Sequence, residues 1–269
     1  TWPFLHTKPT ASLDGSWQLA LHLADRHPLA FGVDMIFNYG PLGIAAVPLA
    51  ISRASLGIGF AFLLASRILL ATALLLCFER WLRPRFAWLP AFATLAVIPG
   101  TGVAPEAALL AGVLLVTTAG LRGACEPIRT GPLLLAACWA ALLTLVKVNV
   151  GPFLAVAAGL AALASPAGAL RRLAAVCAAF AGTLIGLWIA AGQPLAGLAT
   201  WPRGALEIVA GYSEAMAYED PARTWEYGAA AAIAALLAVA IARGADRSDP
   251  LRFAARVAIL AALGFAFFK

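Results

Sequence analysis

The chain has 269 residues, 62% hydrophobic and 12% charged, with a mean hydropathy of +0.89 and a formal net charge of +6. That composition excludes an ordinary soluble domain and fits an integral membrane protein. The pI near 9.5 would suit nucleic acid, but the Arg residues sit in short clusters between apolar runs and no RNA- or DNA-binding motif is present, so no nucleic-acid partner is expected.

The first 53 residues form an outer interfacial region, and 54–269 a transmembrane helix bundle. Within the first part, Leu13 to Gly43 is too polar to cross a bilayer and too apolar for a free loop. From Ser16 to Arg26, Trp17, Ala20, Leu21 and Ala24 repeat at i, i+3, i+4 and i+7, while Gln18, His22 and Asp25 share another face. This is a helix period. At 1.5 Å per residue it reaches roughly 16 Å, about half a bilayer core, so it is expected to lie in the interface. On that helix His22 and Asp25 read as solvated surface groups. Asn38-Tyr39-Gly40-Pro41-Leu42-Gly43 then turns the chain.

Apolar spans follow at 54–78 (with Arg67 inside), 86–98, 107–121, 133–148, 153–164, 173–191, 229–242 and 257–268. Between them lie basic loops, the breakers Pro99 to Pro105 and Gly151-Pro152, and a long amphiphilic loop at 192–227. The expected fold class is therefore all-α, a polytopic bundle with about eight crossings. The chain starts at Thr1, outside an apolar run, and stops at Lys269, at the end of one. It reads as a fragment with a helix before it and more protein after it. The four cysteines Cys77, Cys125, Cys138 and Cys177 are scattered and suggest neither a metal site nor a disulfide framework.

Alternate loops can be sorted by charge. One side carries Arg80, Arg83, Arg85, Arg122, Arg129, Arg171, Arg172, Arg243, Arg247, Arg252 and Arg256, which is 11 of the 19 basic residues. The other carries Asp14, Asp25, Asp34, Glu106, Glu207, Glu214, Glu219, Asp220 and Glu226, 9 of the 13 acids. The positive-inside rule puts the acidic side outside.

Several of these residues suit chemistry. Asp14 reads as a general base at the membrane–water boundary, or as the N-cap of the helix that follows it. Asp34 would join it in one site, as a cation ligand or a sugar-hydroxyl acceptor, or is a solvated loop acid. Glu106 caps a helix or points into an outer cavity. Lys147 and Asn149 lie near the outer end of an apolar span, where an ionisable group is a functional hypothesis by default; a lysine there either contacts phosphate or snorkels to the interface. Trp201 in its Trp-Pro-Arg run, together with Tyr212 and Glu214, would stack on and hydrogen-bond a sugar, or belong to an aromatic belt. No Walker loop, dinucleotide glycine motif or HExxH is present.

The order of features around Asp14 carries a resemblance. An Asp near the start of an outer loop is followed by a helix, a Gly-Val-Asp, and Tyr39-Gly40-Pro41-Leu42-Gly43 leading into a span with an internal Arg. This resembles the C superfamily of polytopic membrane glycosyltransferases, which use lipid-linked sugars. It also looks like a group of bacterial membrane proteins with an Asp-x-Ser-Trp start, here Asp14 to Trp17. The similarity covers about Leu13 to Arg67.

The resemblance implies that Asp14 is the catalytic acid, that Tyr39 belongs to the family's turn and that Lys147 contacts the donor phosphate. Gly15 stands where the family commonly has a second acid, which leaves a divalent cation an open question. The implied activity moves a sugar from a polyprenyl-phosphate donor to a glycan, lipid or protein acceptor, at the outer face of a bacterial inner membrane. Rival readings are a transporter or lipid flippase, favoured by the broken half-spans, and a non-catalytic scaffold of envelope polysaccharide assembly.

Overall fold

The computed structural model describes residues 8, 11–27, 29–78, 108, 112, 129–163 and 167–215. Among these the structure is all-helical, without strands. The helices are α1 (Leu13–Arg26), α2 (Arg53–Phe78), α3 (Thr130–Val146), α4 (Gly151–Leu163), α5 (Ala169–Ala190) and α6 (Gly197–Ala215), with a short 3-10 turn at Gly43–Ala45. The expected spans at 86–98, 107–121, 229–242 and 257–268 lie outside the described residues, apart from Ala108 and Gly112.

Helix α3 is the centre. Its Leu133, Ala136, Ala137, Ala140, Leu143 and Val146 are buried, and α4 and α5 both pack against it. A helix apolar all round needs cover on every side, and small side chains let its neighbours come close. At the α3–α4 crossing a methyl on Gly151 would collide with Thr144 Oγ1 and Ala140 O. Gly151 and Pro152 thus open α4 rather than merely interrupting a span, since a proline is tolerated in the first turn of a helix.

Two of the described helices are long and apolar enough to cross a bilayer, Arg53–Ala73 within α2 and Ala169–Ala190. Only 11% of the latter is buried, where the core helix of a soluble domain would be mostly covered. Ile58, Phe60, Leu64 and Ile68 on α2, and Leu170, Ile185 and Ile189 on α5, are exposed. Ser52 caps α2, its Oγ accepting the Ser55 amide at 3.1 Å.

The stretch expected as a long loop after α5 contains α6. Pro202 inside it removes one amide donor from the helix. Burial of Trp201 and Ala205 offsets that loss, since both have no exposed surface. Arg171 and Arg172, expected in a loop, lie in the first turn of α5, and Arg172 Nε donates to Ala162 O near the end of α4 at 3.1 Å.

Among the described helices, α2 begins, α3 ends, α4 begins, α5 ends and α6 begins at one end of the bundle. The N-terminal region caps that end. Three hydrogen bonds fasten residues 38–42 to the end of α3: Gly40 N to Val146 O (3.3 Å), Leu42 N to Leu145 O (3.1 Å) and Val148 N to Asn38 O (2.9 Å). Gln193 and Trp201 fasten the cap to the α5–α6 region. Gln193 Oε1 accepts the Phe31 amide at 2.8 Å, and Trp201 Nε1 donates to Phe37 O at 3.0 Å.

Candidate functional site

Helix α1 starts three residues before the expected Ser16. Ser12 is its N-cap, with Oγ accepting the Gly15 amide at 3.0 Å. The capping role proposed for Asp14 therefore belongs to Ser12. Asp14 sits in the first turn, where a negative charge is favourable. It is exposed, and its Oδ1 accepts a hydrogen bond from Trp17 Nε1 at 2.9 Å.

That bond orients an aromatic group. Trp17 stacks on Tyr39 with centroids 4.8 Å apart and planes 23° apart. Phe37 closes the cluster, 5.8 Å from Trp17 and 5.9 Å from Tyr39. Such contacts contribute about 0.5–1.5 kcal/mol each beyond burial. Tyr39 faces Lys147 across an antiparallel bridge, and the lysine Nζ stands 5.3 Å from the tyrosine ring centroid, within cation–π range. Asp14, Trp17, Tyr39 and Lys147 thus form a continuous row, although 133 sequence positions (147 − 14) separate its ends.

Lys147 is the C-cap of α3 and opens the turn Lys147–Val150, closed by Val150 N to Lys147 O at 3.0 Å. Asn149 lies in that turn, 5% exposed, and neither its Oδ1 nor its Nδ2 has a hydrogen-bond partner among the described residues; the same holds for Asn38 Oδ1. An unmet buried amide costs about 1–3 kcal/mol per group. Native structures keep few of them, often where function requires it.

Asp34 lies elsewhere in the cap. Its Oδ2 accepts the Ala30 amide at 2.9 Å, closing a tight turn in which Gly32 has φ of 84°. This turn packs on α6, with Thr200 Oγ1 donating to Gly32 O at 2.8 Å. No hydrogen bond of Asp34 among the described residues reaches the Asp14 row. Glu106 lies outside the described residues. Tyr212 and Glu214 fall in the last turn of α6, and their side chains lie outside the described residues. No three His, Cys, Asp or Glu side chains converge among the described residues.

His22, expected at the surface, is buried with 2% exposure, because residues 47–49 fold back over its face of α1. Its Nε2 is 2.8 Å from Val47 O, which assigns the proton to that nitrogen; the Leu49 amide at 3.3 Å is then a contact rather than a hydrogen bond. Trp201, expected in a belt or against a sugar, is instead a fully buried anchor, tilted against Trp188 at 5.7 Å. Arg67, inside the α2 span, is partly exposed and forms no ion pair among the described residues. Gln193 and Gly40 escaped sequence reasoning, since neither residue type marks a docking point by itself.

Comparisons with protein families, with curated proteins and with solved structures find no match.

Proposed function

We propose that the protein is a multi-pass bacterial inner-membrane glycosyltransferase, transferring a sugar from a polyprenyl-phosphate donor to an acceptor at the outer face. The observation that carries this reading is the row Asp14–Trp17–Tyr39–Lys147, with a carboxylate at one end, a cation at the other and aromatic faces between. Two apolar helices of bilayer length support the membrane setting. The collection of 11 of the 19 basic residues in the alternate loops away from this end of the spans supports an outward orientation.

In this reading the acceptor hydroxyl oxygen attacks the anomeric carbon, and the carbon–oxygen bond to phosphate breaks. Asp14 takes the hydroxyl proton. One of its oxygens holds Trp17, and a carboxylate has lone pairs to spare for a second partner. The polyprenyl phosphate leaves with the bonding electrons, and Lys147 offers it a compact positive charge. Trp17 and Tyr39 present ring surface to the sugar, and the buried Asn149 amide, in the turn that Lys147 opens, is reached by a sugar hydroxyl only when that turn opens. Asp34 closes a separate turn of the cap and takes no part in the row.

The test is transfer from a panel of radiolabelled polyprenyl-phosphate sugars, comparing wild type with Asp14→Asn. General-base catalysis contributes about 10²–10⁴-fold, so a loss of that size with folding intact is expected. Transfer unchanged by the substitution refutes Asp14 as the base. Absence of transfer from every donor moves weight to a second reading, a transporter. The short helices α3 and α4, meeting at a turn where buried Asn149 has no hydrogen-bond partner among the described residues, favour that alternative.

A further inference from the structure

A cleft of about 240 Å³ opens between the last turns of α1, residues 29–31, the Gly40-Pro41 step and the turn after α5. Asp25 marks it, eleven residues along α1 from Asp14 and so about 16 Å away; it is distinct from the aromatic row. Leu21, Leu29, Phe31 and Ile44 form apolar walls, and the two polar side chains lining it are Asp25 and Gln193.

Gln193 is engaged at both ends, accepting the Phe31 amide at 2.8 Å and donating to Leu29 O at 3.4 Å. The Asp25 carboxylate has no hydrogen bond or ion pair among the described residues. No Lys, Arg or His lines the cleft. Helices α1 and α5 both end beside it, at Arg26 and Ala190, and each C-terminus adds about half a negative charge. The guanidinium of Arg26, the next residue along α1, is drawn off to Ile51 O at 2.8 Å.

These features define the complementary group. It is cationic, it donates hydrogen bonds, and it is small or carried on an apolar body. A divalent metal needs six or more oxygen ligands, and one carboxylate does not supply them. A quaternary ammonium has no proton to donate and favours an aromatic cage, of which Phe31 is a single wall. The geometry points to a primary ammonium as the ligand of the Asp25 cleft. The cleft lies at the end of α5, a helix of bilayer length, where a lipid headgroup amine would reach it; a soluble amine is the other source. This inference uses the membrane part of the proposed function and is independent of sugar transfer.

The experiment uses the full chain in nanodiscs of phosphatidylglycerol and phosphatidylethanolamine, with retained lipid measured by native mass spectrometry. A second arm measures thermal unfolding in lipid-free detergent with added ethanolamine. Wild type is expected to retain phosphatidylethanolamine preferentially. Asp25→Asn should lose that preference about tenfold, as for one charge-assisted hydrogen bond. Asp25→Glu should keep most of it, and Glu207→Gln, on exposed α6 surface, all of it. Stabilisation by ethanolamine in wild type but not in Asp25→Asn, without lipid preference, assigns the site to a soluble amine. Equal retention in wild type and Asp25→Asn, or no response of wild type to either amine, overturns the proposal. Sugar transfer, measured in parallel, bears on the enzyme reading alone.

Discussion

Gly40 is the tightest point of the seam between the N-terminal cap and α3, and Gly40→Ala tests whether that seam holds the molecule together. The added methyl would stand 2.5 Å from Leu145 O and 2.7 and 2.8 Å from two ring carbons of Trp201. Carbon atoms rest at about 3.5–4.0 Å, so roughly 1 Å of movement is required. Neither neighbour moves freely. Leu145 O accepts the Leu42 amide at 3.1 Å, and the indole of Trp201 is fully buried and bonded to Phe37 O at 3.0 Å.

Overpacking of this kind costs about 1–3 kcal/mol, and each seam hydrogen bond that yields adds about 1 kcal/mol. Gly40 does not have a positive φ, so alanine meets no backbone strain and recovers about 0.4–1 kcal/mol from the unfolded chain. The net is a loss of about 2–3 kcal/mol, which lowers Tm by about 4–12 °C for a chain of this size. Thermal unfolding in detergent, followed by tryptophan fluorescence, reads it. Gly182→Ala is the internal control: Gly182 lies mid-α5 with nothing within 4 Å of the added methyl, so it should be neutral or up to about 1 kcal/mol stabilising. A Gly40→Ala protein that unfolds within about 1 °C of wild type refutes the argument.

Two further outcomes are expected. Asn149→Leu replaces buried polar atoms that have no partner among the described residues with an apolar group of similar size, so Tm should hold or rise while transfer falls at least tenfold; a lower Tm would mean that the Asn149 amide is already satisfied. Trp17→Phe keeps an aromatic face but removes the Nε1 donor that orients Asp14, so kcat should fall about tenfold through misplacement of the base, with little change in KM for the donor. Equal activity would show that the indole bond does not position the carboxylate.

Much of the architecture was legible because apolar runs must become helices in a protein this hydrophobic. The period through Trp17, Leu21 and Ala24 identified α1, but its start was misread, since Asp14 and Ser12 are both good caps and only the Ser12 Oγ geometry decides between them. Lys147 and Asn149 stood out because polar groups at the end of an apolar run carry a cost. Their proximity to Tyr39 rests on a bridge across more than a hundred positions, which no local pattern encodes. Residues 192–227 read as a loop because the anchoring of Trp201 beneath the cap, around which α6 forms, is a tertiary effect. His22 read as a surface group because the return of residues 47–49 over it is not written in the period of α1.

The cap depends on partners made late. Phe31 and Phe37 are fastened by Gln193 and Trp201, 162 and 164 residues further along the chain. At 5–20 residues per second of synthesis, roughly 10–30 s pass before those partners exist. During that interval the segment after α1 has its seam to α3 but not its attachments to α5 and α6, and an amphipathic helix in that position has the membrane surface as its natural support. The acid-bearing segment is therefore made before the helices that hold it, and its Phe31 and Phe37 attachments form only after α5 and the start of α6 have been delivered.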